Sequence, residues 1–401
     1  MTRAVGSSAV RTISVKERRA RLALRHHLAP SARAKTAEAA AAGVVVLHAT
    51  DPATIVLSVG ARIDGDPIAA VERALYDERS LVRILGMRRT LFVVPSEIAP
   101  IVHGASTRAL AVTERKRVVN VIEDGGISTD GAAWLRAVET RTLAALERRG
   151  EATASELRAD VPELGEQLKM GVGKKWEGTF SISTRVLWLL AMDGHVVRGR
   201  PRGSWLSTQY RWAAMDRWLG RRIDDEPTEG AQVELARRWL AAFGPGTVAD
   251  LRWWTGWTAR DATRALAALD TVAVDLDGVP GLVLADDEGP VASPRPWAAL
   301  LPALDPTVMG WTGRDWYLGE HKKALFDRSG NAGPTVWWDG RIIGGWSQRA
   351  SGEVVARVLD DIGSAGTKAV AAATPRLDAQ VARTRVTPRF RTPLERELAD
   401  C

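Results

Sequence analysis

Residues 44–52 read VVVLHATDP, an apolar run that ends on two side chains capable of chemistry. His48 and Thr50 flank one alanine, and Asp51-Pro52 follows at once. In an extended chain residues i and i+2 share a face, so an extended approach to Asp51 projects imidazole and hydroxyl together. Imidazole titrates near neutrality and accepts a proton from water, and a threonine hydroxyl can hold that water. Asp51-Pro52 has the form of a helix N-cap followed by proline at the first helical position. The free N–H groups of such a helix start attract anions. A plainer reading also fits, in which His48 packs, Thr50 aids the turn and Asp51 serves the backbone alone.

Other chemistries find little support. The six histidines are scattered, and neither HExxH nor CxxC occurs, so no metal site is expected. His26 and His27 are helical neighbours pointing about 100° apart. They are expected at a surface or between domains. No Walker loop and no GxGxxG after a strand is present, and no cofactor is expected. The single cysteine, Cys401, excludes an internal disulfide and indicates a cytoplasmic protein. No apolar run reaches the roughly 18 residues of a membrane span, and the basic N-terminus lacks the apolar core of a secretory signal. The formal charge of +7 favours an anionic partner, nucleic acid before membrane. A genome that spells surface charge with arginine gives the same balance. RGRPRGS supplies Arg198, Arg200 and Arg202, spaced to lie along DNA phosphates or a minor groove. The 16 tryptophans are read mainly as core, with one of Trp337 and Trp338 facing outward on its strand.

The elements that must position these residues are legible from their caps. Ser14-x-x-Glu17 reads as a capping box before VKERRARLALRHHL, Pro30-Ser31 restarts a helix over ARAKTAEAAAAG, and ATIVLSVGARI follows Asp51. PIAAVERALYDE then leads into SLVRILGMRRTLFVVP, whose halves around Gly86 predict paired strands. After residue 125 one order occurs twice: a long helix, a short helix opened by Thr153-x-x-Glu156 or Thr247-x-x-Asp250, a third helix, then a hairpin. That is the order of a winged helix-turn-helix, and the segment from Ser31 to Val94 reads as a looser third copy. From about residue 291 the pattern predicts an α+β domain: a hairpin turning at Asp339-Gly340, a helix over SGEVVARVLDDIG, an Ala-rich helix and a basic tail.

Several longer blocks carry a resemblance: LHATDPATIVLSVGARI, GMRRTLFVV, DLRWWTGWT, and LLPALDP followed by KKALFDRSGNAGPTVWWDGRIIGGW. In this order they resemble the AlkZ/YcaQ-type winged-helix DNA glycosylases, over roughly residues 15 to 385. The resemblance implies an α+β, mainly α fold of three tandem winged helix-turn-helix units and a β-rich C-terminal domain. Its segments are a flexible N-terminus (1–13), winged units at 14–125, 126–225 and 226–290, and the C-terminal domain with its tail (291–401). It implies hydrolysis of the N-glycosidic bond of alkylated or otherwise modified bases in double-stranded DNA, by a monomer in the cytoplasm at the nucleoid. The family's Gln-x-Gln or Gln-x-Asp motif falls on His48-Ala49-Thr50, and both polar residues differ. Phe92 stands where some relatives carry histidine. The expected catalytic residues are His48, Thr50 and Asp51, the last mainly an N-cap, with an acid limb near the ordinary histidine pKa of about 6.5. Arg62, Arg88, Arg89, Arg198, Arg200 and Arg202 are expected on DNA. A winged-helix DNA-binding protein without catalysis, regulatory or architectural, is the alternative.

Overall fold

A computed structural model describes residues 10–170, 178–224, 226–381 and 384–400. The fold is α+β and mainly α. Its contacts separate two compact units, one of residues 1–45, 57–67 and 233–401, the other of residues 46–56 and 68–232. Residues 1–9 of the expected flexible N-terminus and Cys401 lie outside the described residues.

The second unit contains two sheets of one design. Leu47–His48, Leu81–Leu85 and Leu91–Pro95 pair antiparallel in the order first, third, second. Glu151–Ala152, Val196–Pro201 and Tyr210–Ala214 repeat that order. In this repeat the helices Gly131–Arg149, Ala154–Asp160 and Ser183–Met192 precede the hairpin as expected. Thr153 and Glu156 exchange both bonds of a capping box, which satisfies two N–H groups the helix start would leave orphaned. Leu135, Val138, Leu146, Leu157, Val186 and Leu190 fill the core between them, each buried side chain contributing roughly 1.5–3 kcal/mol. An additional hairpin, Gln167–Met170 with Gly178–Ser181, was not foreseen.

The first unit holds a third sheet of the same plan. The hairpin Thr271–Asp275 and Pro280–Leu284 takes Gly246 as a one-residue bridge to Leu282. Thr247 and Asp250 form the second complete capping box, opening the helix Val248–Thr255. Arg11–Thr12 adds a parallel strand to Val274–Asp275, and Ile13 is fully buried. Residues 11–13 of the segment expected to be flexible are thus held in the fold. Glu17 gives its carboxylate to Arg11 and Arg21, so the box at Ser14 is made on one side only.

The C-terminal part is a four-stranded antiparallel sheet of Ala298–Leu301, Thr335–Trp338, Arg341–Gln348 and Val354–Val358. Three expectations need correction. SGEVVARVLDDIG is not a helix: its three valines are β-branched and Val354–Val358 pairs at the sheet edge. The helix expected over ARAKTAEAAAAG begins only at Ala37, capped by Thr36, because Ala34 is held extended by a bridge to Ile63. Of the two places expected for His26, a surface or a position between domains, the surface one is wrong, and its partners come from the expected segments 226–290 and 291–401. It is fully buried, with Nδ1 on Thr307 Oγ1 at 2.9 Å and Nε2 on the Ala242 carbonyl at 3.1 Å. Burial pushes its pKa down to about 3. Trp239, Trp337 and Trp346 are buried, and Trp338 is the partly open member of its pair.

Candidate active site

The apolar run before His48 forms a strand only at its end. Leu47 pairs with Val93 and His48 with Phe92, and Ala49 N–H extends the pairing by donating to the Leu91 carbonyl at 2.9 Å. Phe92 pairs in turn with Ile84, so His48, Phe92 and Ile84 form one row across the sheet. The imidazole meets the Phe92 ring edge to face, with centroids 5.5 Å apart. Phe92 can lie there because Gly86 has no side chain: a Cβ at Gly86 would sit 3.0 Å from the ring. Thr50 follows, half-buried, two residues beyond His48. Asp51 is buried and its Oδ1 accepts from Ala53 N–H at 3.1 Å. That is the N-cap role expected at the start of the helix Pro52–Gly60.

His48 is electrostatically unusual. Burial first, and the positive charge of Arg88 second, push its pKa down to about 4. Its Nδ1 is enclosed with no hydrogen-bond partner. Among the described residues no carboxylate backs the ring, in contrast to a His–Asp dyad. The imidazole is thus neutral throughout the physiological range, a weak base and a competent acceptor.

The turn before Phe92 carries the strongest backbone signal. Arg88 and Arg89 have φ of 56° and 61°, and Thr90 N–H donates to the Met87 carbonyl at 3.1 Å. This is a type I′ turn, a conformation that favours Asn-Gly or Asp-Gly. The chain's other two-residue hairpin turns use Asp277-Gly278 and Asp339-Gly340, all four residues at positive φ. Two arginines at the first of these turns hold an unfavourable conformation and present exposed guanidinium groups. Arg89 also pairs with Glu114 at 2.8 Å.

The other expected arginines are divided. Arg202 is exposed at the tip between Val196–Pro201 and Tyr210–Ala214. Arg200 is exposed and paired with Glu72 and Asp77. Arg198 lies on the strand, half-buried over Tyr210 and Trp212 at 5.5 and 5.3 Å. Arg62 is enclosed and offers phosphate no surface. Its guanidinium grips Asp305 at 2.7 and 2.8 Å and also donates to Thr307 Oγ1. Burial alone would raise the pKa of Asp305, but Arg62, Thr307 N–H and Ser58 hold it below its ordinary value. Sequence reasoning missed Arg83. It is buried, its guanidinium donating to Tyr76 Oη and lying 5.0 Å from the Tyr210 ring. Tyr76 lies only seven residues before it, but Tyr210 comes from a distant segment, so no local pattern announces the pair of rings. Among the described residues no group of three or more His, Cys, Asp and Glu is placed to hold a metal ion, and no helix is long and apolar enough to cross a membrane.

Three sheets share one topology, and His48 lies on the edge strand of the first. The profile of the DNA glycosylase AlkZ-like family matches residues 41–384, and the chain belongs to that family. Among solved structures, the Streptomyces sahachiroi DNA glycosylase AlkZ is similar over 94% of this chain and 99% of its own, with a TM-score of 0.72 and 20% identity. No curated protein sequence matches.

Proposed function

We propose that the chain is a monofunctional DNA glycosylase that removes modified bases from duplex DNA, with water activated at His48 and Thr50. The observation that carries this reading is a half-buried imidazole set on Phe92, two residues ahead of a half-buried threonine and just before a helix start. The bond from the sugar C1′ to the base nitrogen breaks, its electron pair leaving with the base. Water attacks the resulting oxocarbenium-like centre and delivers its proton to His48 Nε2 as the new C–O bond forms. Thr50 holds the water, and Asp51 fixes the helix start. DNA phosphates supply the negative charge that steadies the cationic sugar. Residues 14–125, 126–225 and 226–290 are read as three winged-helix units. Arg88, Arg89, Arg198, Arg200 and Arg202 are their contacts to the duplex, and Arg62 is left out of that set. No lysine occurs between Lys35 and Lys116, so no amine from the segment around His48 serves as a nucleophile.

The test is incubation with duplexes carrying a panel of alkylated and bulky base adducts. Strands should stay intact until heated in alkali, and borohydride should trap no covalent complex. Duplex binding without abasic sites on any substrate would instead support the non-catalytic DNA-binding protein.

A further inference from the structure

The first unit contains a cavity of about 900 Å³ with a strongly cationic wall. Lys322 and Lys323 reach it from the short helix Lys322–Leu325, and Arg328 from the turn that follows. Arg389, Arg391 and Arg396 come from the segment that leads into and opens the helix Pro393–Asp400. Asp327 is the one carboxylate on this wall. Its oxygens are already taken, accepting from the backbone N–H groups of Ser329 and Asn331 and from the Asn331 amide, each at 2.8 Å. Glu395 holds Arg391 at 2.7 Å. Lys322, Lys323, Arg328 and Arg396 are exposed, and none forms an ion pair among the described residues.

Four unpaired cations on one concave wall repel each other and focus a positive potential into the cavity. A multivalent anion relieves that repulsion; one monovalent ion does so poorly. Phe326 and Phe390 line the same wall and give it an apolar stretch beside the charges. The volume lies at the upper end of small-ligand sites, roughly 300–1,000 Å³, and is too large for a single phosphate. We infer that this cavity binds consecutive phosphates of a nucleotide, with the attached sugar or base against the phenylalanines. None of its residues belongs to the set assigned above to base excision or duplex contact, so this inference stands apart from that reading.

The experiment is calorimetric titration of the full chain with sodium tripolyphosphate, ADP and the trinucleotide dT3. The variant is Lys322→Glu/Arg396→Glu, and Arg295→Glu/Arg260→Glu repeats the charge change at two exposed positions outside the cavity wall as control. Reversing two contact charges should weaken binding by roughly 10- to 100-fold, while the control changes it less than about twofold. Loss of tripolyphosphate and ADP binding identifies a free nucleotide as the ligand. Loss confined to dT3 identifies a nucleic-acid strand. If none of the three binds, or all bind both proteins and the control equally, the wall is only a solvated basic face and the inference falls. Should the double variant misfold by circular dichroism, Lys323→Ala/Arg328→Ala gives the same test with charges removed rather than reversed.

Discussion

The pH dependence of base excision follows from where His48 sits. An exposed histidine with a pKa of about 6.5 is only about 9% neutral at pH 5.5, and a base of that kind would lose roughly tenfold in rate between pH 8 and 5.5. With the pKa held down to about 4, His48 is still about 97% neutral at pH 5.5. Single-turnover excision should therefore be flat to within about twofold over that range. The midpoint near 6.5 expected from the residue type alone is displaced by burial. A phosphate on Arg88, or Arg88→Gln, relieves only the smaller of the two causes, so the midpoint rises but stays well below 6.5.

The fold must survive the assay. His26 and His48 have folded pKa values below their unfolded ones, so the unfolded chain binds more protons and stability is lost as pH falls from about 6.5 toward the folded values. At pH 5.5 each group costs about 1.4 kcal/mol, or about 3 kcal/mol together, within the 5–15 kcal/mol typical of folded proteins. Circular dichroism at pH 5.5 checks that the protein is intact. A rate that falls tenfold by pH 5.5 in folded protein would refute the placement of His48 as a buried neutral base.

Three further outcomes are expected. His48→Ala should leave duplex affinity nearly unchanged and cut single-turnover excision by roughly 10²–10⁴-fold, with Thr50→Ala milder and His48→Gln partly active; equal rates would reject this site. Arg88→Asn/Arg89→Gly places residues suited to the type I′ turn, so it should stabilise the chain by roughly 1–2 kcal/mol while flattening the salt dependence of duplex binding by about two units. A melting scan and a salt titration read both, and a fall in stability would mean the turn is not strained. Arg62→Met leaves Asp305 as an uncompensated buried carboxylate and should destabilise by roughly 3–5 kcal/mol, with an unchanged salt slope in protein that still folds.

Sequence legibility followed the range of the interactions. Thr153-x-x-Glu156, Thr247-x-x-Asp250 and Asp339-Gly340 each settle a backbone problem within four residues, and each appears in the fold as read. Val354–Val358 was misread because five residues of valine, alanine and arginine fit either period until a neighbouring strand is supplied. Arg62 looks like any surface arginine until Asp305, more than two hundred residues away, arrives to bury it. Arg83 is hidden for a related reason: Tyr76 is close in sequence, but Tyr210 is brought to it only by the fold. At the candidate site, the Asp51 cap was legible and the electrostatics was not. The cap follows from spacing, whereas the lowered pKa of His48 depends on burial and on the charge of Arg88.

That lowered pKa suits the proposed chemistry better than an ordinary histidine would. Departure of the base leaves positive charge on the sugar, and a protonated imidazole beside it would oppose that charge. An uncharged ring avoids the repulsion wherever the pH stays well above about 4. The loss in basicity matters little, because water becomes strongly acidic only as its oxygen bonds to an oxocarbenium-like carbon, and even a weak base then takes the proton. Glutamine at the same position is uncharged and an acceptor, which is why His48→Gln is expected to retain activity. A leucine of similar bulk offers no acceptor, so His48→Leu should be as inactive as His48→Ala. If His48→Leu instead matched His48→Gln in single-turnover excision, the position would be serving packing against Phe92, and the water would have to be held elsewhere.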